Sequence, residues 1–556
     1  MIQAFWTWNP VCSGARRRFD EPHALIHNRW LFDKSVWQRM FRTMSSCGFN
    51  AIFLANTHPF PFMIQYDDFA DAAMLSADEL ERHQRIYHWI FETAADYGIK
   101  PYVLFFSIYY PDRLAEARGI GGAKLCEPNQ LAVDYTGYCV RKLVSTYPEL
   151  AGIVGEASET FEGDRAAFIR DAILAPAAAA GGDPDVIVRG WCADPNDVVG
   201  NLGRWDVRVR YSVKYTWEHL VGDRPDPMFK AWAAAAGPER VLGELWISNF
   251  EPFTCFSFGT AEAIRHNLAK MGCAGFSLHP LSLYEWPFTS DRDFRYQFQR
   301  DLVWYGIWGG SSLARLAEEG SPRWLQRHGD LTGGFQAASK ILETVALYFG
   351  GDKQNQWHPQ FCSIRYGQQC RLLTIADMAD FPSQGMFWGR DWWQDMMGQK
   401  VTHLPDALQT PNPDAFGPFE FIDKLSELAA QAEADLRKAW SRIREEPELA
   451  CFARNAESQM RLGTFWIERM RAAIAHARRE DDTALRHMGL ALDAMKDAAA
   501  ADRRHREGFR AITGRCAILG EWDTVIAALL AELDDASRGE WNSGERYTVH
   551  QVTGAP

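Results

Sequence analysis

The chain has 556 residues, of which 47% are hydrophobic, and a formal net charge of −13 at pH 7. This length supports at least two domains with their own cores, and the negative charge argues against a protein that binds nucleic acid or another polyanion. The eleven cysteines form no CxxC pair. Their number and spacing argue against a disulfide framework or a zinc knuckle and favour buried, reduced thiols.

The first residues, MIQAFWTWNPVCSGARRRF, have no basic stretch ahead of an apolar one, and no run of 18 apolar residues occurs anywhere in the chain. Neither a secretory signal nor a membrane span is therefore predicted. Together with reduced cysteines, this predicts a cytoplasmic protein without a membrane partner.

Short apolar runs alternate with amphipathic stretches over the first 310 residues. Eight runs are predicted as strands: residues 4–9, 49–56, 100–110, 150–158, 185–193, 206–215, 240–248 and 274–280. Strands of this kind that alternate with helices are typical of a parallel sheet covered on both faces. Eight such units predict an α/β fold, a (β/α)₈ TIM barrel over residues 1–310. A doubly wound sheet is less favoured because no GxGxxG turn follows the first strand.

Residues 311–556 have a different pattern, with long stretches rich in Ala, Leu, Arg and Glu. The segment IDKLSELAAQAEADLRKAWSRI, for example, repeats apolar residues at every third or fourth position, as the helices of a bundle do. The sequence therefore predicts an all-helical C-terminal domain over residues 311–556.

Polar or aromatic residues stand at or just after the end of every predicted strand. In a (β/α)₈ barrel this is the face that carries the active site. The candidate site residues are Trp8, Asn56, His58, Glu156, Glu159, Arg189, Trp191, Lys214, Tyr215, Glu218, Glu244, Trp246, Asn249 and His279.

Carboxylates on opposite sides of this face are what glycoside hydrolysis requires, one protonated and one ionised. Aromatic rings beside them would stack on sugar rings. The cations Arg189 and Lys214 have two interpretations: they neutralise the glutamates, or they bind a negatively charged group of the substrate. The histidines show no HxH or HExxH spacing, so neither a metal nor another cofactor is predicted.

Several motifs resemble family 67 α-glucuronidases and occur in the same order as in that family. They are GFNAIFLANTH (48–58), YGIKPYVLFF (97–106), GIVGEASET (152–160), VIVRGW (186–191), SVKYTWEHL (212–220) and GELWISNFEPF (243–253). The run at 295–320 also resembles the helix that leads from the barrel into a helical C-terminal domain in that family.

The resemblance implies an exo-acting, inverting glycosidase that removes a terminal α-linked glucuronic acid or a related sugar from an oligosaccharide. It implies that Glu159 is the general acid and that Glu244 activates water, with Glu218 the nearest candidate for a second activating carboxylate. Arg189 and Lys214 match cations that contact the sugar carboxylate. The resemblance also implies a homodimer. Glu156 stands where the family has a third cation, which leaves a neutral sugar open.

Two alternatives remain. A retaining glycosidase would use Glu156 as acid/base and Glu244 as nucleophile, since these residues end the fourth and seventh strands. The second alternative is a barrel that binds carbohydrate without catalysis, in which neither carboxylate has a catalytic role.

Overall fold

The structure is a computed structural model. It describes residues 1–8, 29–56, 58–106, 109–122, 128–157, 161–190, 193–203, 205, 207–216, 222–245, 253, 258–281, 286–289, 291–310, 331–349, 357–366, 369–380, 398, 400–438, 440–445, 447–504 and 522–551.

Eight parallel strands pair in chain order and close into a barrel. They are β1 (Ile2–Trp8), β2 (Ala51–Asn56), β3 (Lys100–Phe106), β4 (Gly152–Glu156), β5 (Asp185–Arg189), β6 (Val209–Lys214), β7 (Val241–Leu245) and β8 (Gly275–Leu278). The last strand pairs with the first, Ile2 opposite Gly275. The predicted (β/α)₈ barrel is therefore confirmed.

Several strands end earlier than their apolar runs predict. Phe106 lies opposite Glu156, and Glu156 lies opposite Arg189, and these are the last register pairs between β3, β4 and β5. Ala157 and Gly190, which the apolar runs assign to strands, lie beyond the ends of β4 and β5.

Helices follow the strands around the barrel and then make up most of the C-terminal region. In the first part they are α1 (Lys34–Ser46), α2 (Ala77–Asp96), α3 (Asp112–Ala117), α4 (Gln130–Thr146), α5 (Arg165–Ile169), α6 (Ala175–Ala179), α7 (Pro195–Leu202), α8 (Pro227–Ala236), α9 (Phe258–Met271), α10 (Gln297–Arg300) and α11 (Leu302–Gly309). In the second part they are α12 (Thr332–Tyr348), α13 (Ile375–Ala379), α14 (Leu404–Gln409), α15 (Pro418–Lys438), α16 (Trp440–Glu445), α17 (Pro447–Ala477), α18 (Asp481–Arg503) and α19 (Trp522–Ser537).

Local sequence explains where several helices begin. The Ser76 side chain accepts a hydrogen bond from the Glu79 backbone, and Glu79 accepts one from the Ser76 backbone, which forms a capping box at the start of α2. Asp194 caps α7 with its side chain, and Pro195 lies in the first turn of that helix. A polar residue accepts the otherwise unpaired N–H groups at each of these two helix starts.

Glycines make one contact of the barrel unusually close. Gly48 follows α1 with φ +95°, and a Cβ atom at this position would lie 2.4 Å from the carbonyl oxygen of Gly309. A Cβ atom on Gly309 would in turn meet the Cys47 carbonyl oxygen at 1.6 Å. Only glycine at both positions lets the backbone of α11 touch the end of α1.

The C-terminal region is helical, as predicted, but it is not all-helical. Four short antiparallel strands form a sheet in the order β12–β11–β10–β9. They are β9 (Trp357–His358), β10 (Ser363–Tyr366), β11 (Gln369–Leu372) and β12 (Thr548–Gln551). β11 and β12 lie far apart in the chain, so the sequence around each one alone does not reveal the pairing.

The predicted boundary at residues 310 and 311 lies at the edge of a segment, residues 311–330, that is outside the described residues. The boundary therefore stays a prediction. Contacts link the two parts of the chain: Arg454 on α17 forms an ion pair with Asp293, with 2.7 Å between Nη2 and Oδ2.

Among the helices that the structure describes, none is long and apolar enough to cross a membrane. The prediction of buried, unpaired cysteines is confirmed for Cys47, Cys139, Cys273, Cys362 and Cys370, which are free thiols in the interior.

Candidate functional site

The ends of β4 to β8 bring a set of charged side chains into the barrel. Register pairs place Glu156 opposite Arg189, Lys214 opposite Glu244, and Glu244 opposite Ser277. Since alternate residues of a strand face opposite sides, this register puts these side chains on the interior side at one level. The level lies at the carboxyl ends of the strands, which is the face predicted to carry the site.

Arg189 binds both glutamates. Its Nε donates to Glu244 Oε2 at 2.7 Å and its Nη2 donates to Glu244 Oε1 at 2.5 Å. Its Nη1 donates to Glu156 Oε2. All three side chains are at most 4% exposed, so these are charge-assisted hydrogen bonds away from bulk water. We call Glu156, Arg189, Glu244 and His279 the mouth cluster.

The electrostatics of the mouth cluster keep Glu244 ionised. Burial alone would raise its pKa, but the charge and hydrogen bonds of Arg189 outweigh burial and hold the pKa of Glu244 well below its usual value. The pKa of Arg189 is raised in turn: burial would lower it, and the two glutamates more than compensate. Glu244 is therefore a carboxylate across the working pH range of most enzymes.

His279 completes the cluster from the residue after β8. Its Nε2 lies 3.3 Å from Glu244 Oε1, and its ring stacks on Trp6 with 3.8 Å between centroids and 26° between planes. Burial lowers the pKa of His279 to about 4, so the imidazole is neutral at pH 7. A neutral ring that contacts a carboxylate through Nε2 carries its proton on that atom.

Aromatic rings and a hydroxyl surround the ions. The Arg189 guanidinium carbon lies 5.4 Å from the centroid of Trp6 and 5.8 Å from that of Phe106, within the range of cation–π attraction. Ser212 donates to Glu244 Oε2 at 3.3 Å. The sequence reasoning did not include Phe106 or Ser212 among the candidates. Ser212 could have been found, because it lies two residues before Lys214 and so on the same face of β6.

Lys214 lies next to the mouth cluster and is 6% exposed. It is opposite Glu244 in the register of β6 and β7, and its charge contributes to lowering the pKa of His279, after the larger effect of burial. The structure thus brings together five of the predicted residues: Glu156, Arg189, Lys214, Glu244 and His279.

Three other predicted residues lie outside this group. Asn56 lines a small cavity with Trp30 and Trp37, between the barrel and α1. Its position after Leu54 puts it on the helix-facing side of β2, because every second residue shares a face. The structure therefore gives Asn56 a position on the helix-facing side, and its predicted sugar contact stays a prediction.

His58 and Tyr215 are also held by packing and local hydrogen bonds. His58 Nε2 lies 3.0 Å from the hydroxyl of Tyr135, and burial lowers the pKa of His58 to about 3. The Tyr215 hydroxyl donates to the carbonyl oxygen of Asp223 at 2.9 Å, and its ring packs on Phe229 of α8 at 5.0 Å between centroids. The predicted role of these two side chains as sugar contacts stays a prediction.

The remaining predicted residues cannot be placed. Glu159, Trp191, Glu218, Trp246 and Asn249 lie outside the described residues, and of Trp8 only the backbone at the end of β1 is described. Within the described part of the chain, no group of three or more His, Cys, Asp or Glu side chains could hold a metal ion.

A second charged group lies lower in the barrel, toward the amino ends of the strands. The Tyr102 hydroxyl donates to Asp185 Oδ2 at 3.0 Å, and Arg210 forms an ion pair with the same oxygen. We call Tyr102, Asp185 and Arg210 the base cluster. It resembles the mouth cluster in chemistry but contains a single carboxylate.

A surface cavity of about 400 Å³ lies beside the carboxyl ends of β4 and β5. Its lining comes from the connections that follow these two strands: Phe161, Gly163, Asp164, Arg165, Ala166, Ala193, Asp194, Asp197, Val198 and Asn201. It is therefore on the same face of the barrel as the mouth cluster.

No protein-family model matches the chain, and no curated protein sequence matches it either. Among solved structures, a GH138 enzyme targeting pectin rhamnogalacturonan II is similar with a TM-score of 0.81 at 16% identity, over 96% of this chain and 67% of that chain. A family 89 glycoside hydrolase from Clostridium perfringens in complex with PUGNAc matches at a TM-score of 0.43 and 12% identity, over 99% and 68% of the two chains.

The similarity to the GH138 enzyme extends over the barrel and the helical region, so it establishes a shared fold for nearly the whole chain. A fold of this kind hosts many chemistries, and activity must be argued from the site itself. The resemblance to family 67 stays a prediction.

Proposed function

We propose that the protein is a glycoside hydrolase whose reaction centre is the mouth cluster. The observation that carries this proposal is that Glu156 and Glu244, from the fourth and seventh strands, bind the same guanidinium group inside the barrel mouth. Cleavage of a glycosidic bond needs two carboxyl groups close together, and the aromatic rings beside them can stack on a sugar. That a solved structure with this fold is named as a glycoside hydrolase supports the proposal.

The charge state of Glu244 favours the role of nucleophile. A nucleophile must be ionised, and Arg189 keeps Glu244 so. The same low pKa makes Glu244 a weak general base, because an efficient base has a pKa near the working pH. Because both carboxyls bind one guanidinium, we expect a spacing near the roughly 5–5.5 Å of retaining enzymes, closer than the spacing that admits a water molecule.

The proposed reaction then has two steps. Glu156 must carry a proton at the start of the first step; Glu244 then attacks the anomeric carbon while the bond to the leaving oxygen breaks and Glu156 gives that oxygen its proton. Water next attacks the same carbon, Glu156 takes the proton from the water, and the bond to Glu244 breaks. The inverting alternative, implied by the family 67 resemblance, keeps Glu244 as the base and uses Glu159 as the acid.

We propose a uronic acid as the sugar that is removed from the end of an oligosaccharide. Arg189 is engaged by two glutamates, which supports its neutralising role. Lys214, at the adjacent strand end, is the proposed ligand of the sugar carboxylate, as the family 67 resemblance implies. Glucuronic acid is the first choice from the resemblance, and the target named for the GH138 enzyme, pectin rhamnogalacturonan II, is the first polysaccharide to test.

We place the leaving group on the side of β4, because both candidate acids, Glu156 and Glu159, belong to β4 or its connection. The cavity of about 400 Å³ lies on this side and has the size of a small-ligand site. Phe161 offers a ring and Asn201 an amide. Phe161→Ala should raise KM for an oligosaccharide several-fold and leave an aryl glycoside, which has no second sugar, unaffected.

The decisive experiment is a screen of aryl and oligosaccharide uronosides, α and β, with neutral sugars as controls. Proton NMR of the first product then shows whether the anomeric configuration is retained or inverted. In a retaining enzyme, azide should restore turnover to Glu244→Ala by entering the space left by the side chain. Binding of these sugars by the wild-type protein without any turnover would instead support the carbohydrate-binding alternative.

The homodimer and the cytoplasmic location stay predictions. Size-exclusion chromatography with light scattering tests the first, and a single species at the monomer mass of about 63.2 kDa would contradict it.

A further inference from the structure

A buried glutamate of the C-terminal region contacts two connections on the catalytic face of the barrel. Glu343 lies on α12 and is 5% exposed. Its Oε1 accepts a hydrogen bond from the backbone N–H of Gly222 at 3.3 Å and from the hydroxyl of Thr260 at 3.1 Å. One oxygen atom thus joins three parts of the chain.

Both partners of Glu343 follow, in the chain, strands that carry mouth-cluster residues or their neighbours. Gly222 lies on the connection from β6, which ends at Lys214, to α8. Thr260 lies in the first turn of α9, which follows the connection from β7, the strand of Glu244. Tyr215, the residue after Lys214, donates to the carbonyl oxygen of Asp223, which couples Gly222 to the end of β6. Asn267 of α9 donates to the same oxygen, which couples the helix of Thr260 to this point.

Other contacts show that this junction is tightly organised. The carbonyl oxygen of Asp223 accepts hydrogen bonds from the Tyr215 hydroxyl and from Asn267 Nδ2, each at 2.9 Å. A Cβ atom on Gly259 would lie 3.2 Å from Gln336 Nε2 of α12. The segment that begins at Gly222 is thus held from β6, from α9 and from α12.

We infer that Glu343 is a positioning residue for the mouth of the barrel, through which the helical region fixes the connections after β6 and β7. The effect on catalysis rests on the proposed function, whereas the effect on the two connections does not. Because displacement of a reacting group by about 1 Å can cost on the order of 100-fold in rate, loosening this junction should lower kcat without removing any catalytic residue.

The test compares variants at Glu343 with a control on the same helix. Glu343→Ala should lower kcat on an aryl uronoside by about 10–100-fold with KM little changed, and it should speed amide exchange over residues 222–226 and 258–264. Glu343→Gln keeps an acceptor oxygen and should recover most of both properties. The control is Thr344→Val, since the Thr344 hydroxyl donates to Lys340 within α12.

Several results would overturn the inference. They are an unchanged kcat for folded Glu343→Ala, unchanged amide exchange at the two connections, or a Gln variant no better than Ala. Should Glu343→Ala fail to fold, Thr260→Val, which removes a single hydroxyl, gives the same readouts. A wild-type protein without glycosidase activity would defeat the proposed function, and amide exchange would still decide whether Glu343 holds the two connections.

Discussion

The two charged clusters inside the barrel differ in burial and in the number of carboxylates that one guanidinium binds. In the base cluster, one carboxylate, Asp185, meets one guanidinium and one phenol, and Arg210 remains 19% exposed. In the mouth cluster, a fully buried guanidinium holds two carboxylates. The Asp185–Arg210 pair reaches solvent and only links neighbouring strands. Burying two carboxylates on one cation in the mouth cluster carries a desolvation penalty, and the packing of the barrel does not require it.

This contrast teaches that burial and charge together distinguish the end of the barrel where we propose the active site. The base cluster lies at the amino ends of the strands, where residues serve stability in barrels of this type, and the mouth cluster lies at the end where activity resides. Substitutions that keep side-chain shape but remove charge should separate the two roles.

The largest effect is expected at Glu244. Glu244→Gln keeps the size and one of the two oxygens that accept from Arg189, but its amide cannot act as the nucleophile, so kcat/KM should fall on the order of 10⁴-fold. Steady-state kinetics on the best uronoside from the screen measures this. Activity within tenfold of wild type would remove Glu244 from the reaction.

Removing Arg189 should affect stability most. Arg189→Met leaves two buried carboxylates without their cation, which should lower the free energy of unfolding by about 3–5 kcal/mol at pH 7. Urea denaturation at pH 7 and at a pH below 4 measures the change. The folded-state pKa of Glu244 in the wild type is depressed below the ordinary value of 4.5, so its stabilising contribution is present above that pH and is lost as the pH falls.

The loss on acidification should therefore shrink in Arg189→Met, because Arg189 no longer holds the pKa of Glu244 below its usual value. A variant that is as stable as wild type at pH 7 would show that the mouth cluster is not held by this ion pair.

His279 should give the protein a smaller acid sensitivity. Its pKa falls from 6.5 in the unfolded chain to about 4 in the folded protein, so the unfolded state binds the extra proton between these values. Stability is therefore complete above pH 6.5 and decreases as the pH falls toward 4. Between pH 7 and pH 5 this single group should cost about 2 kcal/mol.

His279→Gln should remove that part of the pH dependence of the free energy of unfolding. The control is His266→Gln, since His266 is exposed on α9, and its substitution should leave the pH dependence unchanged. Equal slopes for all three proteins would contradict the assignment.

The smallest effect is expected in the base cluster. Asp185→Asn keeps an oxygen for the Tyr102 hydroxyl and loses the charge that pairs with Arg210, which should cost about 1–2 kcal/mol of stability. Thermal unfolding measures the loss, and kcat/KM should stay within twofold of wild type. A large drop in activity without a drop in stability would erase the distinction between the clusters.

The barrel could be predicted from the sequence because its strands are apolar, β-rich runs of similar length separated by amphipathic helices. The charged residues at strand ends, Glu156, Arg189 and Glu244, could also be predicted from the sequence. The sequence pattern at the strand ends did not reveal which way each side chain points. Asn56 and Tyr215 stand at strand ends too, but the period of two turns them toward the helices.

Other features depend on distant parts of the chain. The strands β11 and β12 pair with each other although helices α13 to α19 separate them in the sequence. Glu343 likewise accepts hydrogen bonds from Gly222 and Thr260, which lie far from it in the sequence. Hydrophobic periodicity reports which face of an element is buried, and it carries no information about which buried polar group meets which.

The contact between Gly48 and Gly309 has a consequence for cooperativity. At this point the backbone that opens the second strand and the backbone of the helix that closes the barrel touch with no side chain between them. Separating them would expose peptide groups of both at once, so α11 and the barrel should melt in a single transition.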